Sequence, residues 1–352
     1  MFKLFRLIRI EEWVALVSAG VVILINVFVY HNTFSGETAL WMLKYFSFGS
    51  TFLELFFFFI WFVCFYKLYV GMVRAARKVF IEKETASFRA NVKRMISDIF
   101  STIRTLIPFA IVCSSFFQLL SNFSYQFRFN TYDIAIAGWD YKIFGAHPFV
   151  WFPTVLRWGW FSQFMYAIYI YISIVLAVTL ILLFIFSRNF LFRRIVLAYI
   201  FILILAYPLF YFVPCQDPNN YFLRNIRGYS FSSETSSMFQ NYAPNALTAG
   251  YISQIAEAET NVRRDNVVPI SCFPSMHAAW TFIIVYFLAQ LTLWSLVISL
   301  PWAAFLLVSG LYFAQHYAVD YIVALLVVAV SLFLVNLMIK RKLVPEIVPD
   351  TN

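Results

Sequence analysis

A chain of 352 residues that is 62% hydrophobic, 21% aromatic and only 12% charged lies far from soluble domains, where about a quarter of residues carry charge. Its repeated apolar runs of about twenty residues suit bilayer-crossing helices, not the short alternating strands of a membrane barrel. The net charge of +9 gathers in short segments between those runs, as topology determinants do, and not in a stripe among base-reading side chains, which argues against a nucleic-acid partner.

The first residues, MFKLFRLIRIEEW, set a basic flank before an apolar run as a secretory leader does. That run outlasts a leader's core and no small-x-small cleavage pattern follows, so a retained first span is expected over 12–31. A second span is expected over 47–71. Beyond it, Phe88, Val92, Met95, Ile96 and Ile99 recur at helical spacing among Arg89, Lys93 and Arg94, a pattern for an amphipathic helix on the membrane surface. After a third span over 100–120, the stretch AGWDYKIFGAHPFVWFPTVLRWGWF is rich in aromatic residues and suits headgroup level. Further spans are expected over 163–187, 195–213, 274–294, 297–314 and 319–339, with a long connection over 214–273.

These elements predict an all-α, polytopic membrane helical bundle of about eight transmembrane helices. Residues 1–98 would hold two accessory helices and the surface segment, 99–342 a six-helix core with the outer loop 214–273, and 343–352 a short tail. Lys3, Arg6, Arg9, the basic residues from Arg74 to Arg94, Arg188, Arg193, Arg194 and Lys340–Lys342 then fall on one side, which places both termini in the cytoplasm. Cys64 and Cys113 read as buried thiols within spans. Cys215 and Cys272 flank the outer loop, and spacing leaves both free thiols and a disulfide open. No CxxC or His/Cys pattern with zinc spacing occurs, so no metal or cofactor is expected.

Two short stretches carry candidate chemistry at the outer face: FPSMH, with Ser275 and His277, and QHYAVDY, with His316 and Asp320. His316 and Asp320 are four apart, about 40° around a helix axis. A carboxylate so placed can orient one ring nitrogen and leave the other with its lone pair free, as in an activated nucleophile or base. His277 would then serve as proton donor, and Ser275 as a hydroxyl donor to phosphate. Each pattern alone is short, and an interfacial histidine is commonly an ordinary amphipathic residue. The sidedness of all four groups gives them weight. A transporter, the competing class, would carry ionisable groups near the midplane and internal repeats. A non-catalytic lipid-binding protein is the third reading.

FPSMH followed by SGLYFAQHYAVDY resembles the paired signatures of the type 2 phosphatidic acid phosphatase superfamily, P-S-G-H and S-R-x5-H-x3-D. Ser309 stands seven before His316 and Asp320 four after it, as in that pattern, but Gly310 stands at the family's arginine position. The form F-P-S-x-H, together with WDYKIFGAHP and FYFVPCQDPNN, resembles the branch containing inositol phosphorylceramide synthase and its bacterial relatives. The family's first motif, K-x6-R-P, is not found, and the resemblance covers roughly residues 130–340. It implies a phosphohistidine at His316, oriented by Asp320, with His277 protonating the leaving alkoxide, Ser275 holding phosphate, and no metal. The missing arginine's role would fall to Arg224, Arg227, Arg263 or Arg264, with Arg224 and Arg227 favoured. Asp140 and His147 would be structural or acceptor-binding. The implied partners are membrane lipids (a phospholipid or polyprenyl phosphate) and a polyol or lipid alcohol acceptor. Transfer of a phosphate-bearing headgroup leads, with hydrolysis of a lipid phosphate or polyprenyl pyrophosphate as the close alternative.

Overall fold

The computed structural model of the chain describes residues 9–28, 131–186, 190–223, 245–261 and 272–341, with scattered helical positions between 62 and 112. Among the described residues the regular elements are all helical. They are α1 (Ile10–Phe28), α2 (Asp133–Phe144), α3 (Pro148–Val155), α4 (Gly159–Ile170), α5 (Ile172–Phe186), α6 (Phe190–Phe212), α7 (Ala246–Asn261), α8 (Met276–Leu291), α9 (Leu296–Tyr312) and α10 (Ala318–Lys340). Much of the sequence expected to form the second and third spans lies outside the described residues, as do Cys64 and Cys113. So does most of the expected surface helix, of which Lys93, Ile96 and Ser97 are helical and exposed.

Among the described residues, three helices are long and apolar enough to cross a membrane: α6, α9 with its leading turn from Leu293, and α10. A fourth span results if α4 and α5, bent by 51°, count as one. Beyond Arg193 and Arg194 α6 is apolar on every face, and its apolar window is two-thirds buried (67%), whereas those of α9 and α10 are only 28% buried. An all-round apolar helix belongs inside a bundle, and the exposed apolar side chains of the other two, such as Ile298, Leu326 and Phe333, suit lipid. α8 is shorter, with 16 residues, yet central: it packs on α5, α6, α9 and α10. Ala278 and Ala279 in its first turn are fully buried, and small side chains there let neighbouring backbones approach.

The two ends of the bundle differ in chemistry. At one end, Arg193 of α6 grips Glu11 of α1 through Nη2 at 2.7 Å and Nε at 3.0 Å, both groups being buried. Arg104 pairs with Glu12 alongside, at 2.6 Å, and Arg194 donates to Asn336 near the end of α10 at 2.9 Å. Ser331 of α10 donates to the Ala198 carbonyl of α6 at 2.6 Å, so the two helices run antiparallel. Their opposite ends, Phe212 and Ala318, therefore lie at the other end of the bundle, where α8 begins and α9 finishes. α2 and α3 cover that end, packing on α10 and α9. Trp139, Tyr141 and Trp151 on these helices are exposed, as is Trp158 just beyond them.

Candidate active site

Ser275 ends the extended entry to α8 and caps it: its Oγ accepts the Ala278 N–H at 3.1 Å. A serine in that role satisfies one of the unpaired donors of the first turn, and it fixes His277 one residue inside the helix. The second histidine is delivered by a turn. α9 stops as Ala314 adopts a left-handed backbone, φ +53°, while the Gln315 N–H returns to the Gly310 carbonyl at 2.8 Å. A non-glycine residue in that region is uncommon and mildly strained. Here it redirects the chain so that His316 points back at α8.

The outcome is contact between the two imidazoles, 39 residues apart in sequence: His316 Nε2 lies 3.3 Å from His277 Nδ1. Tyr169 of α4 stacks on the His277 ring at 4.7 Å between centroids, with 23° between planes. Around His316 the geometry departs from the expected direct pairing with Asp320. Nδ1 lies 3.6 Å from Asp320 Oδ2, beyond a hydrogen bond, and the thiol of Cys272 adjoins both groups. Its Sγ donates to Asp320 Oδ2 at 2.9 Å and lies 3.4 Å from His316 Nδ1. Burial, and secondarily the neighbouring His277, hold His316 well below the ordinary imidazole range, so it is a neutral ring with a lone pair to offer. Burial likewise pushes the Cys272 thiol up, and it keeps the proton it donates.

Both cysteines are free thiols, so the disulfide left open by spacing is not formed. Cys215 instead donates to Asp133 Oδ1 at 3.4 Å and to the Gln216 carbonyl at 3.0 Å. Cys272, His316 and Asp320 present three ligand atoms within 4.8 Å of one another, the group among the described residues that could hold a metal ion. In this arrangement those atoms face one another.

Carboxylates organise the surrounding backbone. Asp320, in the first turn of α10, reaches back to accept the Tyr317 N–H at 2.9 Å, half of a capping box. Asp140 of α2 accepts the Ala318 and Val319 N–H groups at 2.9 and 2.8 Å. Expected as a substrate- or acceptor-contacting residue, it has both oxygens engaged in capping the helix that carries Asp320. Asp133 accepts the Gln216 N–H at 3.0 Å and the Tyr317 hydroxyl at 2.9 Å. Burial raises Asp133 and Asp140 to about 6 each, against the hydrogen bonds that pull them down. His147 caps nothing with its side chain; it packs between Tyr141 and Phe149 and bonds the Ala137 backbone.

The family model described as the PAP2 superfamily matches residues 135–334, more than half of the chain, with His277, His316 and Asp320 inside the match. The chain belongs to the PAP2 superfamily. No curated protein and no solved structure matches it. PAP2 superfamily members are generally phosphatases or phosphotransferases, and lipid phosphates are their general substrates.

Within the PAP2 frame, the departure at Gly310 has a steric cause. A Cβ built there would overlap the Tyr321 hydroxyl and press on His316 Cδ2 at 3.3 Å. The arginine position is therefore filled by the Tyr321 ring, which lies edge-on to His316 at 5.8 Å and donates to the Leu307 carbonyl at 2.8 Å. Arg224, Arg227, Arg263 and Arg264 lie outside the described residues. The sequence reading did not pick out Cys272 as part of the His316–Asp320 pair, Tyr321 as occupant of the arginine position, or the buried amides of Gln216 and Asn219. The clustering of amides in CQDPNN beside a proline-rich turn was the visible signal for the last.

Proposed function

We propose that the protein is a lipid phosphotransferase that moves a phosphate-bearing headgroup to an alcohol acceptor through a phosphohistidine on His316. The approach of His316 Nε2 to His277 Nδ1 carries the reading, since it brings a nucleophile and a proton donor to one pocket, where a phosphate would part them with attack and departure on opposite faces of phosphorus. In the first step Nε2 attacks phosphorus, the bond from phosphorus to the lipid oxygen breaks, and protonated His277 gives its proton to that oxygen. In the second, His277 takes the proton of the acceptor hydroxyl, whose oxygen attacks phosphorus as the P–N bond breaks. Asp320 supports the charge that develops on His316, through Nδ1 and with the Cys272 thiol as neighbour. Ser275 and the N-terminus of α8 face the phosphate with donors and a favourable dipole.

The eight-span arrangement, with both termini cytoplasmic and the site on the outer face, belongs to this reading. The Arg193–Glu11, Arg104 and Arg194 groups then lie at the cytoplasmic end, in keeping with the positive-inside rule. The likeness of FPSMH and WDYKIFGAHP to the inositol phosphorylceramide synthase branch favours transfer over hydrolysis. Arg224, Arg227, Arg263 and Arg264 remain candidate phosphate ligands from the outer loop, and Asp140 serves by holding the start of the helix that bears Asp320.

The test is to incubate the purified protein with phosphorus-labelled phospholipids, with and without alcohol acceptors. Acid-labile label on the protein that vanishes in His316→Ala, together with a labelled new lipid, is the expected result. Labelled free phosphate in place of the new lipid would make the protein a phosphatase. Absence of His316-dependent label would remove the reading.

A further inference from the structure

The segment Cys215–Asn220 is unusually polar for its depth. Gln216, Asn219 and Asn220 are each only 2% exposed, and Asp217 is 7% exposed. Its backbone is tied to the two stretches that flank the catalytic pair. Cys215 O accepts the Cys272 N–H at 3.2 Å, and the Asn219 N–H donates to the Ala314 carbonyl, two residues before His316, at 2.8 Å. The Gln216 N–H goes to Asp133, and both the backbone N–H and the side-chain amide of Asn220 donate to Asp217.

Two donors stand outside this accounting. Gln216 Nε2 and Asn219 Nδ2 are buried without a hydrogen-bond partner, as is the acceptor Asn220 Oδ1 in the same segment. A buried amide donor left unpaired is destabilising, and nearly all such groups in folded proteins find a partner. Two in one six-residue segment, anchored to the residues around a reactive histidine, mark a place kept for an acceptor-rich ligand. The family position that would present a guanidinium, residue 310, is closed by Tyr321, so phosphoryl oxygens at His316 must find donors elsewhere.

We infer that the side-chain amides of Gln216 and Asn219 are hydrogen-bond donors to the non-bridging oxygens of the substrate phosphate beside His316. This rests on the phosphotransfer reading above. Neutral, preorganised amides suit the task, since oriented donors in a water-poor site stabilise phosphoryl charge without carrying charge themselves.

The experiment uses the full chain in detergent, with orthovanadate as the phosphate-like probe and phosphorus-labelled phospholipid as substrate. The variants are Gln216→Met, Asn219→Leu, and the near-isosteric Gln216→Glu and Asn219→Asp, which replace a donor by an acceptor. Ligand-holding amides predict that the apolar variants melt at or above the wild-type temperature, because an unpaired donor is gone. The same variants would lose the vanadate-induced rise in melting temperature, and kcat/KM would fall about 100-fold per donor. The acidic variants would lose the vanadate response as well, which keeps the test decisive if an apolar variant fails to fold. A wild-type vanadate response and kcat/KM retained in the variants would overturn the inference alone. A wild-type protein with neither vanadate response nor His316-dependent turnover would overturn it together with the phosphotransfer reading.

Discussion

The Tyr321 hydroxyl donates to the Leu307 carbonyl at 2.8 Å, and that bond holds its ring over the bare Cα of Gly310. Gly310→Ala should therefore cost about 1–3 kcal/mol by overpacking and disturb His316, which sits on the other side of the new methyl. In a Tyr321→Phe background the obstructing oxygen is absent and the penalty should shrink, giving a coupling above about 0.5 kcal/mol. Thermal unfolding of the four proteins of this cycle measures it. Additive effects would mean that Tyr321 does not fill the space.

His316→Ala should abolish turnover and protein labelling. Asp320→Asn keeps shape but removes the charge that supports the imidazolium, and should lower kcat about 10²–10⁴-fold by analogy with other carboxylate–imidazole pairs. Phosphohistidine formation by rapid quench separates the two, since the asparagine variant should label slowly and the alanine variant not at all.

The acidic limb of kcat/KM should lie below pH 6.5. In the proposed mechanism the attacking imidazole of His316 must be neutral, so activity falls as pH drops through its pKa, and burial moves that pKa down from 6.5, which carries the limb to lower pH. Cys272→Ala should move the limb upward while keeping activity within about tenfold, because the thiol no longer shares Asp320 Oδ2 with the ring. A wild-type limb above pH 6.5, or one unmoved by Cys272→Ala, would contradict this arrangement.

Asp140 acts through the helix that bears Asp320. Asp140→Ala leaves the Ala318 and Val319 N–H groups unpaired in a buried place, worth about 1–3 kcal/mol of stability. It should also lower kcat more than it raises KM, because Asp320 loses its fixed position. Equal changes in the two constants, with no loss of stability, would point to direct contact with substrate.

At the opposite end, Arg193→Met should destabilise the protein by about 3–5 kcal/mol, since it leaves the buried Glu11 carboxylate only the more distant Arg9, at 4.0 Å. Arg193→Met with Glu11→Leu should recover most of that loss, and neither change should alter the phosphohistidine chemistry. Unfolding in detergent, read beside turnover, checks both halves.

How far the sequence disclosed this structure varies from residue to residue. His277 and His316 could be brought together on paper because the lengths of the apolar runs put both at one face, and run length is a property of composition. The i,i+4 placement of His316 and Asp320 was legible, but the thiol beside them was not, because Cys272 comes from another segment and its direction depends on packing. The run 163–187 holds no charged residue, glycine or proline, so its 51° bend left little mark in hydropathy. The turn at Ala314 uses a residue with no preference for positive φ, so nothing local announced it. Gly310 was visible as a departure from the family pattern; its cause, a tyrosine eleven residues later, needed three dimensions.

α8 and α9 form a helical hairpin whose open end carries the imidazole pair and whose closed end is the turn Leu293–Ser295. One extra residue in either arm would swing its histidine about 100° around the axis and lift it 1.5 Å, ending a contact of 3.3 Å. The hairpin thus behaves as a calliper, tolerant of exchange along its lipid-facing sides but not of unmatched length. Changes in bilayer thickness must accordingly be met by both arms together, or by the helices that surround them.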